Sequence, residues 1–154
     1  MKLYLVQHGD AVPGETDTAR PLSEKGKRDV RRLGAFLARN GIAVSRITHS
    51  GKLRAQQTAE TIASRLRTSV SVEAQDGLNP NDPARGAAQI LVQSADDTLV
   101  VSHLPLLSKL VSRLVTGNKE PSVISFVPGG AVCLERSEAG SWTVSWMVRP
   151  EVLG

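Results

Sequence analysis

The chain has a single cysteine, Cys133, so no intrachain disulfide can form and no multi-cysteine metal site exists. Aromatic residues make up only 3% of it, too few for the stacking platforms on which proteins hold single-stranded nucleic acid. No apolar run approaches the roughly 20 residues needed to cross a bilayer, so no membrane association is expected. Lys2 followed by Leu3–Val6 has the order of a signal peptide's opening, but the apolar stretch is too short and Gln7-His8 interrupts it. Neither an internal repeat nor a low-complexity tract is present. What remains is a soluble protein, expected in the cytoplasm as one domain spanning residues 1–154. A chain of this length buries roughly 68–70% of its unfolded surface, enough for a core without cofactor or staple. Its hydrophobic fraction of 40% and charged fraction of 22% are those of a globular protein.

The net charge is +4. Basic residues cluster at Lys25, Lys27, Arg28, Arg31, Arg32 and Arg39, with Glu24 and Asp29 interleaved. This reads as a solvated helix face that also suits an acidic or phosphorylated protein partner; with so few aromatics, no nucleic-acid partner is expected.

Lys2–Gln7 is a short apolar run without helical spacing and predicts a buried strand. A turn-rich segment, His8–Pro21, follows it. Ser23 is a natural N-cap for a helix with Val30, Leu33 and Leu37 on one face, ending at Asn40-Gly41. Further strands are expected at Ser45–Thr48, Val70–Glu73, Thr98–Ser102, Ser122–Val127, Ala131–Glu135 and Ser141–Arg149. Helices are expected at Lys52–Leu66, Ala87–Ser94 and from Pro105 to about Val115. Trp142 and Trp146, four apart on a strand, should face the same side. The alternation implies an α/β class: a three-layer α/β/α domain around a largely parallel sheet. In such sheets ligands bind beyond the carboxyl ends of the strands.

Three segments with chemical potential fall there. Gln7-His8-Gly9-Asp10 leaves the first strand with a histidine, and Gly9 permits a tight turn or close approach of the backbone. In Ser50-Gly51-Lys52-Leu53-Arg54-Ala55, Arg54 sits in a helix's first turn, where free N–H groups and the dipole already favour anions. Ser102-His103-Leu104-Pro105 puts a second histidine between the most apolar strand and its helix. Each histidine alone is more often a loop or core residue than a nucleophile, and Arg54 alone is more often a surface ion pair. Together they supply a nucleophile and two phosphate-binding groups, which supports an anion or phosphoryl site and goes no further.

Leu3–Ala11 resembles the opening Arg-His-Gly signature of the histidine phosphatase superfamily, which shares its fold with phosphoglycerate mutase. Arg20-Pro21-Leu22-Ser23-Glu24-Lys25-Gly26 is similar to that family's Pro-Leu-Thr-x-x-Gly segment, and Ser50–Ala59 to its Ser-Pro-x-x-Arg-Ala-x-Gln-Thr-Ala block. Val100–Pro105 resembles the second-histidine block of the SixA branch, in which Leu-Pro follows the histidine. The four blocks occur in the family's order on a chain of that branch's length. The resemblance implies a phosphohistidine phosphatase. His8 would be the transiently phosphorylated nucleophile, Arg54 the arginine holding phosphoryl oxygens, and His103 the second histidine donating to them. The implied phosphate-binding set is Gln7, His8, Gly9, Arg54, His103 and Leu104. No metal or organic cofactor is implied. The implied partners are inorganic phosphate and a phosphohistidine-bearing protein, by analogy a histidine phosphotransfer domain.

Two departures bear on this. Gln7 stands where the family has its first arginine, and it brings two amide donors but no charge; Arg20 is a candidate to fill the gap. Gly51 replaces a proline. No glutamate occupies the middle segment Gly77-Leu78-Asn79-Pro80, and Leu104 rather than an aspartate follows His103. Asp10 is the nearest carboxylate in sequence, a candidate to orient His8 or protonate a leaving group, though a loop or N-cap role is the more common one for such a residue. The missing acid suits a phosphoramidate, whose leaving nitrogen can carry its own proton. The competing expectations are a catalytically weak phosphate- or phosphohistidine-binding module and a small-molecule phosphomonoesterase.

Overall fold

The computed structural model describes residues 1–153. Its elements run β1 (Lys2–Gln7), α1 (Glu24–Arg39), β2 (Arg46–His49), α2 (Leu53–Leu66), β3 (Val72–Ala74), α3 (Ala84–Leu91), β4 (Thr98–Ser102), α4 (Leu106–Thr116), β5 (Ala131–Arg136) and β6 (Trp142–Val148). The strands form one sheet in the order β3-β2-β4-β1-β5-β6. Pairing is parallel from β3 through β1 and antiparallel across β5, so β5 alone runs against the rest.

β1 shows why three layers form. Its side chains alternate across the pleat: Leu3 and Leu5 join a core with α3 and α4, whereas Tyr4 and Val6 join a core with α1 and α2. A strand buried on both faces needs the continuous apolar run seen in the sequence. On α1, Val30, Leu33 and Leu37 are completely buried at helical spacing, each burial contributing about 1.5–3 kcal/mol. Ser23 Oγ accepts the Gly26 N–H at 3.0 Å and caps the helix as its position predicts.

Three expectations need correction. Ser122–Val127 is not a strand. Its apolar residues Ile124 and Phe126 pack on the α3/α4 side of the core as irregular chain, because β5 already occupies the free edge of β1. The third helix begins at Ala84, three residues before the expected Ala87, since Pro83 with its fixed φ is well suited to open a helix. Trp142 and Trp146 face opposite sides. Cys133 lies opposite Trp146 but Leu134 lies opposite Val144, so Ser145 is the extra residue of a β-bulge. That single insertion sends Trp142 to the α3/α4 core and Trp146 to the α1/α2 core. Among the described residues no helix is long and apolar enough to cross a membrane.

Candidate active site

Gln7 is in register with Ser102 on the adjacent parallel strand, so His8 and His103, one residue further along each, leave the sheet side by side. Their ring centroids are 4.8 Å apart and the planes are tilted by 48°. His49, the last residue of β2, lies opposite Val101, which brings Ser50 and the start of α2 to the same edge.

The loop carrying His8 is fastened on several sides. The His8 N–H donates to the Ser102 carbonyl at 3.1 Å, and the Gly129 N–H is shared between the carbonyls of Gln7 and His8 at 3.0 and 3.2 Å. The Gly9 N–H donates to Thr58 Oγ1 at 3.0 Å, and Thr58 in turn donates to the Arg54 carbonyl at 2.8 Å. Asp10 Oδ2 accepts from Ser23 Oγ at 2.6 Å, tying the loop to the cap of α1. Loop and helix can approach this closely because residue 26 is glycine: a Cβ there would lie 2.1 Å from the Asp10 carbonyl oxygen. Gly9 likewise packs against Val30 and Leu22.

His8 Nδ1 lies 2.8 Å from the Gly9 carbonyl oxygen, which can only accept. The proton therefore sits on Nδ1, and Nε2 keeps its lone pair. Burial, then the charges of Arg54 and Arg20, hold the His8 imidazole below its usual titration range against the opposing pull of that hydrogen bond. At neutral pH it is an uncharged base. His103 is pushed down to about 3, first by burial and then by the positive charges of His8, Arg54 and Lys52. Its Nε2 meets Ser50 Oγ at 2.6 Å. Ser50 Oγ also accepts the Lys52 N–H at 3.3 Å; with two acceptor lone pairs and one proton, the hydroxyl serves His103 Nε2 in either imidazole tautomer.

Arg54 is buried in the first turn of α2. Its guanidinium donates through Nη1 to the Asp17 carbonyl at 2.8 Å, and Nη2 lies 3.4 Å from the Asp17 carboxylate. The same carboxylate pairs closely with Lys52 and more loosely, at 3.8 Å, with Arg20. The Lys52 ammonium and its neighbours hold the Asp17 carboxyl below its ordinary range. Three buried polar atoms here have no partner: Arg54 Nε, His103 Nδ1 and Gln7 Oε1. Buried donors left unpaired cost about 1–3 kcal/mol each, a cost relieved when an acceptor arrives. A half-turn of the Gln7 amide exchanges acceptor for donors.

Of the residues singled out from sequence, Gln7, His8, Arg54 and His103 share this edge, and Arg20 is near enough for its charge to act on His8. The Gly9 amide is committed to Thr58, and the Leu104 side chain is turned to solvent at 37% exposure. The Asp10 carboxylate is engaged by the helix cap, and Asp82 in the middle loop accepts the Asn79 N–H of its own turn. His49 accepts the Gly51 N–H through Nδ1. Gly51 has a φ of +92°, a conformation closed to the proline it replaces. Ser50, Lys52 and Asp17 escaped notice. Ser50 and Lys52 stood inside a quoted block, but Asp17 is 37 residues from Arg54 and no spacing pattern marks it. Among the described residues there is no group of three or more His, Cys, Asp or Glu side chains arranged to hold a metal ion.

Residues 3–80 match the model of the histidine phosphatase superfamily, branch 1. The chain is 29% identical to phosphohistidine phosphatase SixA of Escherichia coli K12, covering 97% of this chain and 94% of that one. It is 30% identical to a SixA homolog of Haemophilus influenzae, covering 83% and 84%. Its fold superimposes on a structure of protein histidine phosphatase SixA complexed with tungstate with a TM-score of 0.90, at 29% identity and with both chains fully covered.

Proposed function

The chain belongs to the histidine phosphatase superfamily, and from that membership we propose that it is a phosphohistidine phosphatase acting on a phosphorylated protein. The observation that carries this reading is the pairing of a free His8 Nε2 lone pair with two unpartnered buried nitrogens, the Arg54 Nε donor and His103 Nδ1, which donates when it carries the imidazole proton. A nucleophile and an oxyanion's hydrogen-bond partners are what phosphoryl transfer asks of a protein, since positioning and electrostatics do most of the work. The SixA structure in complex with tungstate, a tetrahedral oxyanion, fits the same reading.

In the first step His8 Nε2 attacks phosphorus and the P–N bond to the substrate imidazole breaks. The imidazole departs neutral when its other ring nitrogen already carries a proton, or its departing nitrogen takes one from water, so no carboxylic acid is required. This agrees with the commitment of Asp10 to the Ser23 cap. Arg54 and His103 hold the phosphoryl oxygens as charge gathers on them. In the second step water attacks phospho-His8, the new P–N bond breaks, and inorganic phosphate leaves with His8 restored. Asp17 acts on Arg54: its carbonyl takes one Nη1 hydrogen and its carboxylate lies 3.4 Å from Nη2, which fixes the guanidinium with Nε unpartnered.

Gln7 favours a second reading, a module that binds phosphohistidine and turns it over poorly, because one charge-assisted contact of about 1.5–3 kcal/mol becomes a neutral one of about 1. The deciding experiment is phosphate release from a phosphohistidine-bearing protein, with p-nitrophenyl phosphate alongside. Release by wild type that vanishes in His8→Ala supports the enzyme. Binding of the phosphoprotein without release supports the module.

A further inference from the structure

The concave surfaces of greatest interest outside the site lie between α1 and α2. One cavity of about 500 Å³ is lined by Leu22, Lys27, Arg31, Gln57, Glu60 and Arg65 among others. A second, of about 810 Å³, is lined by Arg39, Arg65 and Arg67 with Ala38, Ile42 and Leu66. They share Ser64 and Arg65 and form one groove where the Arg65 stem packs on Gly34. The groove follows α1, whose 16 residues span roughly 24 Å at 1.5 Å per residue.

Its charge is one-sided. Arg31, Arg39, Arg65 and Arg67 have no carboxylate within 4.0 Å among the described residues, and Lys27 has only the exposed Glu24 at 3.1 Å. Glu60 is the one carboxylate in the lining. The groove also begins beside the nucleophile: the Leu22 N–H donates to Gln57 Oε1 at 2.8 Å, and the Leu22 side chain packs on Gly9. Leu22 thus links the start of the groove to Gly9, the residue after His8.

We propose that this groove docks an acidic helix of the phosphohistidine-bearing protein, presenting its phosphorylated histidine to His8. The inference rests on the phosphatase reading above and adds the chemistry of the partner. The groove's apolar residues, Leu22, Ala35, Ala38, Ile42 and Leu66, suit side chains of a helix, and no aromatic lines it for stacking bases. Five cations along its length set both encounter rate and orientation, an effect that salt weakens.

The test compares wild type with the double variant Arg31→Glu/Arg39→Glu, both positions exposed and neither part of the site. Substrates are p-nitrophenyl phosphate and an acidic histidine phosphotransfer domain charged with phosphoramidate. The expected result is a fall of about tenfold or more in kcat/KM for the phosphoprotein with p-nitrophenyl phosphate unchanged. Raised salt and an oligoglutamate peptide should depress phosphoprotein turnover by wild type alone. Equal kcat/KM for the phosphoprotein in wild type and variant overturns the proposal, as does an equal fall for both substrates. A DNA oligonucleotide that binds wild type but not the variant, with phosphoprotein turnover the same in both, overturns it in favour of nucleic acid. If wild type leaves the phosphoprotein intact, it is the phosphatase reading that fails. Fluorescence anisotropy with the phosphorylated domain then decides docking by itself, with tighter binding to wild type supporting it and equal binding overturning it.

Discussion

The two flanks of His8 are built from opposite materials. On one side α2 and β4 contribute Arg54, Lys52 and His103, knitted together through Asp17 and Ser50. On the other, Gln7 is a buried, uncharged side chain with Oε1 unpartnered, its backbone bonded to the Gly129-Gly130 turn. The backbone is equally well fastened on both. What differs is charge: the cations Arg54 and Lys52 stand on one side only, and the hydrogen bonds that fasten the His8 loop involve no cation at position 7.

The comparison breaks most sharply at Arg54. Arg54→Ala should lower kcat/KM for a phosphohistidine protein by about 10²–10³-fold, the usual cost of one preorganised oxyanion donor. A loss of only a few-fold would mean that the charged flank is not the one that works. Gln7→Arg should move the other way, raising kcat/KM about tenfold, since a charge-assisted bond exceeds a neutral one by about 1 kcal/mol or somewhat more. No gain would show that Arg20 or Lys52 already supplies the charge. Ser50→Ala should cost less, roughly tenfold. It removes the hydrogen-bond partner that positions His103 Nε2, not a contact with substrate, and Ser50→Thr should restore most of the loss.

The pH profile separates the flanks by sign. His8 must be neutral to attack, and its folded pKa lies below 6.5. The acid limb of kcat/KM should therefore fall below pH 6.5 in wild type, and lower still in Gln7→Arg, where a further positive charge disfavours the imidazolium. His103 gives a matching stability effect. Its folded value of about 3 lies under the unfolded 6.5, so below pH 6.5 the unfolded chain binds a proton that the folded chain refuses. Stability is then full above pH 6.5 and declines as pH falls toward 3, by up to about 1.4 kcal/mol per unit. Urea titrations of His103→Asn should show a shallower decline.

Much of this was legible in the sequence because the signals are local. The apolar run of β1, the Ser23 cap and the two strand-to-helix histidines are each readable within a few residues, and parallel pairing then brings the strand ends together. The structure's additions depend on contacts that no window contains. Asp17 meets Arg54 only because the loop after β1 folds back over α2. The split of the tryptophans follows from one extra residue at Ser145, invisible in an alternating pattern. Ser122–Val127 has the apolar content of a strand, but the place beside β1 is taken by β5 and its apolar residues pack into the core as irregular chain. Cys133 is a buried small side chain, its thiol pushed up to about 11 by burial.

The most direct test of the account is to trap the intermediate. Wild type and His8→Ala are mixed with a radiolabelled phosphohistidine protein, quenched rapidly in alkali and digested. The account expects acid-labile label on the peptide containing His8 in wild type and none in His8→Ala. Phosphate release by wild type with label absent from that peptide, or retained in His8→Ala, would contradict a covalent route through His8.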